Sequence, residues 1–372
     1  MSQTDSSCPI SVLAWPARRT RNTNPYPFNV QSANQTHGVE TTEFNLRGVL
    51  RLGYDVVHVH WPEVPLRIKR FPVRLIVSVA ILCLLRLHKW IGRSRIVWTT
   101  HNLQPHERRD HWLTRWYFRS FLNMVDGTIS LSEFGRQTLF EEHPRFRDLP
   151  SVVVHHGHYR DDYPTDLSRR SAREELGIPI DARVLSSLGM IRPYKNLPHL
   201  ARLVHESDDA NLHLLVAGPG KSPEDEKYLL QLAEKDARIH IDIGFIPSRQ
   251  FAVYMAACDL VVLPYSDILN SGSLLLALSL DRPSLITNKG ATAEIAEMVG
   301  DRWVIKFDGT LQSQQLEETL RRVLRQCEEE SADGGQVSRP DLSEFEWSQS
   351  GRRTSDFFRS LTNRTTGTEH QP

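Results

Sequence analysis

The sequence predicts an α/β protein built on two parallel sheets, each covered by helices on both faces. Three observations carry this. Short, nearly all-apolar and β-branched runs recur along the whole chain, and stretches of helical length and pattern separate them. The 372 residues suffice for two domains with separate cores.

The runs fall into two series. The first is Ile10–Ala14, Val56–His60, Arg95–Thr99, Gly127–Ser130 and Val152–His155. The second is Val184–Leu188, Leu212–Ala217, His240–Ile243, Leu260–Leu263, Pro283–Thr287 and Trp303–Phe307. Runs without polar alternation are buried on both faces, as in parallel strands joined by crossover helices. Helical patterns between them include Arg115–Met124, Glu226–Asp236, Phe251–Ala257 and Gln315–Gln326. The polar stretch Tyr159–Ser171 reads as the interdomain linker, and Glu328–Pro340 as a second break. After it, Phe345–Leu361 reads as a last helix with Trp347, Phe357 and Phe358 as its apolar residues. The expected division is residues 1–160 and 161–340 as two domains, 341–361 as a terminal helix and 362–372 as a frayed tail.

Composition narrows the class. Lysine plus arginine equals aspartate plus glutamate at 45 each, which argues against wholesale nucleic-acid binding. The four cysteines, Cys8, Cys83, Cys258 and Cys327, lie far apart and read as free thiols of a reducing compartment. The N-terminus shows no signal-peptide pattern, so the expected location is the cytoplasm. The longest apolar run, Leu75–Leu85, is too short by itself to cross a bilayer. Its flanks carry Arg67, Lys69, Arg70, Arg74, Arg86, Lys89, Arg93 and Arg95, with no acid between Glu63 and Glu107. This is either a core helix with solvated basic ends or a helix lying on an anionic membrane surface with Trp90 at the interface.

In open parallel sheets ligands bind beyond the carboxyl ends of the strands. The residues there are Trp15-Pro16, His60-Trp61-Pro62-Glu63, Thr100-His101-Asn102, Leu131-Ser132-Glu133 and His156-Gly157-His158 in the first series. In the second they are Gly189-Met190-Ile191-Arg192, Gly218-Pro219-Gly220, Gly244-Phe245, Tyr265-Ser266 and Asn288-Lys289-Gly290. Histidine, tryptophan, asparagine, arginine and glycine gather at one edge of both sheets, which suggests two domains facing a ligand cleft.

Two segments point to a diphosphate. Gly189 to Asn196 sets Arg192 and Lys195 beside a glycine turn, and a charge-assisted contact to phosphate contributes roughly 1.5–3 kcal/mol. A lone basic pair after a strand is otherwise a solvated loop. Asn270-Ser271-Gly272-Ser273 follows the strand that ends near Tyr265 and opens an apolar helix, where backbone amides receive anions. An ordinary N-cap by Asn270 or Ser271 is compatible with that role.

With these segments in view, nearly the whole chain resembles the GT-B glycosyltransferases, and within them the bacterial group 1, or family-4-like, set. The matching motifs are Gly189 to Lys195 for a GxxxxxK-type loop and Leu214 to Gly220 for an LxVAGxG strand. Gly244 to Tyr265 matches the strand, helix and strand segment that follows in the family. The resemblance implies two Rossmann-like domains, nucleotide-sugar binding by the second, and a Trp347 helix that crosses back to the first. It implies donor contacts at Gly189, Arg192, Lys195, Gly218, Tyr265, Asn270, Ser271, Gly272, Ser273 and Glu294, the last as a ribose ligand. Asn24-Pro25-Tyr26 and Trp98 to Glu107 are similar to a branch of exopolysaccharide transferases that add glucuronosyl, mannosyl or similar residues to polyprenyl-diphosphate-linked sugars. On the acceptor side this implies Asn24, Tyr26, Trp61 and Asn102. Retaining members carry two glutamates with seven residues between them after the strand ending at Tyr265; Ile268 and Leu276 stand at those positions here.

Inverting transfer needs a base for the acceptor hydroxyl and positive charge for the leaving diphosphate. Arg192, Lys195 and the amides near Ser271 to Ser273 fit the second role. Glu107, His106, His101 and Glu63 are candidates for the first, with Glu107 favoured; His101 has an alternative place as a donor contact. No metal site or cofactor is expected, because the histidines lack carboxylate partners at ligand spacing and the Asp161-Asp162 pair lies in the linker. The expected partners are a nucleotide sugar, a lipid-linked saccharide and, through Arg67–Arg95, the inner membrane face. A nucleotide-sugar epimerase or a non-catalytic scaffold subunit are the alternatives on the same fold.

Overall fold

Two six-stranded parallel sheets organise the chain. The computed structural model describes residues 9–21, 24–104, 111–164, 166–332 and 338–362, without the side chains of 331 and 332. One unit comprises residues 1–157 and 344–372, the other 158–343.

In the first unit the order is β1 (Ile10–Trp15), α1 (Tyr26–Gln35), β2 (Val39–Glu43), α2 (Leu46–Leu50), β3 (Val56–Val59), α3 (Phe71–Trp90) and β4 (Arg95–Thr100). Then follow α4 (Trp112–Leu122), β5 (Gly127–Ser130), α5 (Glu133–Glu142) and β6 (Ser151–Val153). The strands pair in parallel in the order β2-β1-β3-β4-β5-β6. Central β3 and β5 are buried at every position, as coverage of both faces requires. Strand β2 is absent from the expected runs. It is an edge strand, and of Val39-Glu40-Thr41-Thr42-Glu43 only Val39 is buried, so it has no apolar run to reveal it.

The second unit runs α6 (Arg169–Leu176), β7 (Arg183–Leu188), α7 (Leu197–His205), β8 (Leu212–Gly218), α8 (Pro223–Ala233), β9 (Ile239–Ile243) and α9 (Ser248–Ala257). It continues β10 (Leu260–Leu263), α10 (Gly272–Ser279), β11 (Ser284–Thr287), α11 (Gly290–Val299), β12 (Val304–Phe307) and α12 (Ser313–Ala332). Its parallel order is β12-β11-β10-β7-β8-β9. Leu185, Leu214, Val216, Leu260, Val262 and Leu285 give its sheet an apolar centre, against which Leu200, Val204 and Leu316 pack from the helices.

Helix α13 (Trp347–Thr362) follows the second unit in sequence but belongs to the first. It lies so close to α1 that a Cβ on Gly351 would stand 2.6 Å from the Ala33 carbonyl carbon. Phe357 and Phe358 complete the core of the first sheet with Ile10, Val12, Val56 and Ile129.

Helix α3 is longer than its apolar run foretold. At 20 residues it has the length and hydropathy of a membrane span. Yet it joins β3 to β4, parallel neighbours in one sheet, so both its ends are tied to that sheet. Its polarity is partly inverted for a surface helix. Arg74, Ser78 and His88 are buried with Leu82 and Leu85, while Val73, Ile76, Val79, Leu87 and Trp90 face out, Ile76 at 67% and Trp90 at 77% exposure. Trp112 and Trp116 of α4 extend this exposed apolar surface, and the Phe71 ring lies 6.2 Å from that of Trp112. Not all of the flanking cations face solvent. Arg74 donates to the Ile68 carbonyl (3.1 Å), and Lys89 pairs with Asp126 (2.7 Å). Lys69, Arg70, Arg86, Arg93 and Arg95 are exposed.

Candidate functional site

Each strand order contains one reversal. In the second unit the chain steps outward from β7 through β8 to β9, then returns to the other side of β7 with β10. The crevice outside the carboxyl ends of β7 and β10 is therefore its topological switch point, where an open α/β sheet receives a ligand. The loops there are Gly189 to Asn196 and Pro264 to Ser271.

These loops bring most of the expected donor residues together. The Tyr194 carbonyl accepts from the Ser266 amide (2.8 Å), which ties the two loops. Lys195 Nζ reaches Ser273 Oγ at 3.5 Å and lies 5.3 Å from the centre of the Tyr265 ring. Gly189 adopts φ +106°, and a Cβ on it would meet Lys195 Nζ at 3.2 Å and Ser273 Oγ at 3.3 Å. Gly218, at φ +148°, passes so close that a Cβ would stand within van der Waals overlap of the Gly189 carbonyl. Only glycine lets these two strand ends cross. Ser271 caps α10, its Oγ accepting from the Leu274 amide (3.2 Å), so the cap and the open helix terminus coexist.

The electrostatics are one-sided. Lys195 is 5% exposed, and burial pulls its ammonium down to about 8. Among the described residues, the buried Nε of Arg192 has no hydrogen-bond partner. Among the described residues, neither cation is paired with a carboxylate, although Asp and Glu neutralise arginines elsewhere in the unit, as Asp259 does Arg173 at 2.7 Å. Two cations held without counter-charge at a helix N-terminus form a site for an anion. Glu294 sits half-buried on α11, away from these loops in sequence, and Ile268 and Leu276 are both buried.

In the first unit the reversal lies between β1 and β3. Beyond them gathers a cluster that the sequence showed only as separate loop residues: His58 and His60 of β3 and its end, His101 after β4, and His156 after β6. The signal for it was the spacing of two in His58-Val59-His60, which sets both rings on one face of the sheet. His60 Nδ1 lies 3.2 Å from His101 Nε2, and His58 Nε2 lies 2.7 Å from Thr99 Oγ1. Burial lowers all four imidazoles, His58 to about 3 and His156 to about 4, so the cluster is neutral at pH 7. Trp61 stacks on His101 with ring centres 4.5 Å apart. Tyr26 is buried among His101, His156 and Trp347, at 4.9, 4.5 and 5.7 Å between ring centres. Asn24 is engaged locally: its Oδ1 accepts from the Tyr26 amide (3.1 Å).

Glu63 stands at the same edge. It is 6% exposed, in the loop that Tyr117 fastens by donating to the Pro62 carbonyl (2.9 Å). Burial raises its carboxyl above the usual range, against the opposing pull of Arg67, 3.4 Å away, and of Asn102. Glu107 and His106 lie outside the described residues.

Residues 168–334 match the family model described as glycosyl transferases group 1. Over 345 residues, 92% of this chain and 90% of the relative, the sequence is 32% identical to a GDP-mannose:glycolipid 4-beta-D-mannosyltransferase of Xanthomonas campestris pv. campestris. Among solved structures, Anabaena HepE in complex with UDP and glucose superposes with TM-score 0.57 at 12% identity, covering 95% of this chain and 96% of that one. WaaG, a glycosyltransferase involved in lipopolysaccharide biosynthesis, superposes with TM-score 0.56 at 16% identity, covering 96% and 98%. At these identities the two structures establish the GT-B fold alone.

Proposed function

The chain belongs to the group 1 glycosyltransferases, and from that premise we propose that it transfers a mannosyl residue from GDP-mannose to a lipid-linked saccharide, with inversion and without a metal ion. The observation that carries the donor half is the unneutralised pair Lys195 and Arg192 at the β7/β10 switch point. A nucleoside diphosphate supplies the missing negative charge, and the same cations then stabilise the diphosphate as it leaves. Donor sugar and acceptor class follow the Xanthomonas relative, whose name specifies GDP-mannose, a glycolipid and a β-linkage. Forming a β-mannoside from an α-linked nucleotide sugar inverts the anomeric carbon. Ile268 and Leu276, apolar where retaining members hold glutamates, support the same stereochemistry.

Glu63 takes the part of general base, a raised carboxyl at the acceptor edge being suited to accept a hydroxyl proton near neutrality. Helix α3, with Trp112 and Trp116, lies along the anionic inner face of the cell membrane. Its exposed apolar stripe faces the lipid and Lys69, Arg70, Arg86 and Arg93 face the headgroups.

Calorimetry with GDP, UDP and their sugars, without added metal, tests the donor half; the anomeric configuration of the product tests the chemistry. Selective binding of GDP-mannose followed by a β-linked product supports the reading, and an α-linked product or no nucleotide binding refutes it. A second reading, a donor-binding subunit without turnover, has the two missing acids in its favour. Tight donor binding with no transfer to any polyprenyl-linked saccharide would establish it.

A further inference from the structure

Among the described residues, four arginines of the second unit bury a guanidinium Nε that has no hydrogen-bond partner: Arg160, Arg192, Arg282 and Arg302. The charge of Arg160 is met by Asp281 (3.4 Å) and that of Arg302 by Glu330. Arg192 belongs to the loop beyond β7. Arg282 is left, with neither a side-chain hydrogen bond nor an ion pair among the described residues.

Arg282 sits in the turn between α10 and β11, where its amide donates to the Ala277 carbonyl (2.9 Å) and part of its surface stays in solvent. Two carboxylates are near enough to act on it, Asp259 and Asp281, and both are already engaged. Buried Asp259 accepts from Arg173 (2.7 Å) and lies 3.2 Å from Arg169. Asp281 lies 3.4 Å from Arg160 and 3.3 Å from Arg339. Five guanidinium groups thus meet two carboxylates, and Asp341 adds only an attraction to Arg160 from beyond ion-pair distance. Burial works against the charge of Arg282, and the nearby Arg169 adds to it. A bound anion would relieve both.

The cluster is remote from the donor loops. Asp259 directly precedes β10 and Arg282 stands two residues ahead of β11, so it lies at the amino ends of these strands, whereas the donor loops leave the carboxyl ends. Helix α10 separates the two, with Ser271 at its start and Arg282 just past its end, about 12 Å for its eight residues.

We propose that this cluster is a second anion site, which takes a phosphate group in the fork of Arg282 with Arg169 beside it. A planar guanidinium donates two parallel hydrogen bonds to phosphate oxygens, a match that a lone carboxylate gives for one negative charge only. Among the described residues Arg169 pairs with Asp259 through Nη1 alone, and its side chain is 41% exposed, so it has further donors for the ligand. The site does not depend on which sugar the chain transfers.

Pyrophosphate is the probe, titrated by calorimetry at constant ionic strength into the full chain carrying Arg192→Gln and Lys195→Met, whose donor loops have lost their cations. Binding is expected, with a rise in unfolding temperature. Adding Arg282→Gln should weaken it about tenfold or more, as for one lost charge-assisted contact, and Arg282→Lys, which keeps the charge and loses the fork, should fall between. No binding to the doubly substituted chain overturns the proposal, whether or not Arg282→Gln folds. Binding that Arg282→Gln leaves unchanged overturns it equally. Phosphatidylcholine vesicles containing phosphatidic acid distinguish the source of the phosphate, and either result sustains the site. Sedimentation that drops in Arg282→Gln marks a lipid headgroup; Arg282-dependent pyrophosphate binding with unchanged sedimentation marks a soluble phosphate.

Discussion

Replacing Lys195 by methionine should stabilise the empty protein and weaken it as a donor binder. Methionine keeps the length of the side chain and removes its charge, and the hydrogen bond to Ser273 that it forgoes is a long one at 3.5 Å. The ammonium falls from 10.5 to about 8 on folding. At 1.36 kcal/mol per pH unit, the folded protein bears about 3 kcal/mol for keeping this lysine charged at pH 7. Between pH 8 and 10.5 the unfolded chain holds the proton that the folded one has released. Native stability therefore rises through that window as pH rises, and below it the penalty is present in full. Methionine removes the penalty, so urea unfolding at pH 7 should show the variant more stable by up to about 3 kcal/mol, with the difference shrinking toward pH 10. Its affinity for GDP should fall roughly 10- to 150-fold, the value of one charge-assisted contact of about 1.5–3 kcal/mol. Calorimetry and denaturation on the same preparation provide both numbers. A variant less stable at pH 7, or one that binds GDP as the parent does, would refute the claim that Lys195 is held uncompensated for an anion.

Other perturbations separate the remaining parts. Glu63→Gln should lower kcat by about 10²–10⁴ while donor affinity stays within a factor of two or so. In the parent, kcat/KM should fall as pH drops through the raised carboxyl value, and this acid limb should vanish in the variant. Gly218→Ala forces a methyl into the Gly189 carbonyl at a positive φ, and should cost on the order of 2–4 kcal/mol in thermal unfolding together with donor binding. Ile76→Asp, on the exposed stripe of α3, should leave the unfolding transition within about 0.5 kcal/mol yet abolish sedimentation with anionic vesicles at low salt. Retained sedimentation would move the membrane contact elsewhere.

How legible this protein was in its sequence depended on burial. Leu260–Leu263 and Gly127–Ser130 stood out because a central parallel strand has no polar alternation to blur it. Edge strand β2 did not, because Glu40 to Glu43 need only hydrogen-bond on one side. Helix α1 was hidden for another reason: its Asn29, Gln31, Asn34 and Gln35 lack an apolar period, although Gln31 and Asn34 are buried. At the proposed donor site, Gly189, Lys195, Tyr265 and Ser273 could be named from their places beyond strand ends and from the family resemblance, since two adjoining loops and the helix that follows carry them. The acceptor side was less accessible. His60 and His156 were visible as loop residues, but a ring-to-ring hydrogen bond between β3 and β4 depends on register. Nothing in the sequence foretold that Arg74 would turn inward while Ile76 turned out.

The course of α3 bears on how an acceptor arrives. Helix and sheet run in opposite directions, so the helix starts near the carboxyl end of β3, a short loop beyond Glu63, and extends about 30 Å toward the far edge. If that length rests on lipid, a glycolipid diffusing in the bilayer meets the acceptor edge sideways, without leaving its leaflet. Encounter then becomes a search in two dimensions, with an effective concentration set by the density of glycolipid in the membrane. Diluting the acceptor with inert lipid at constant bulk amount should slow turnover, whereas diluting whole vesicles into buffer should not.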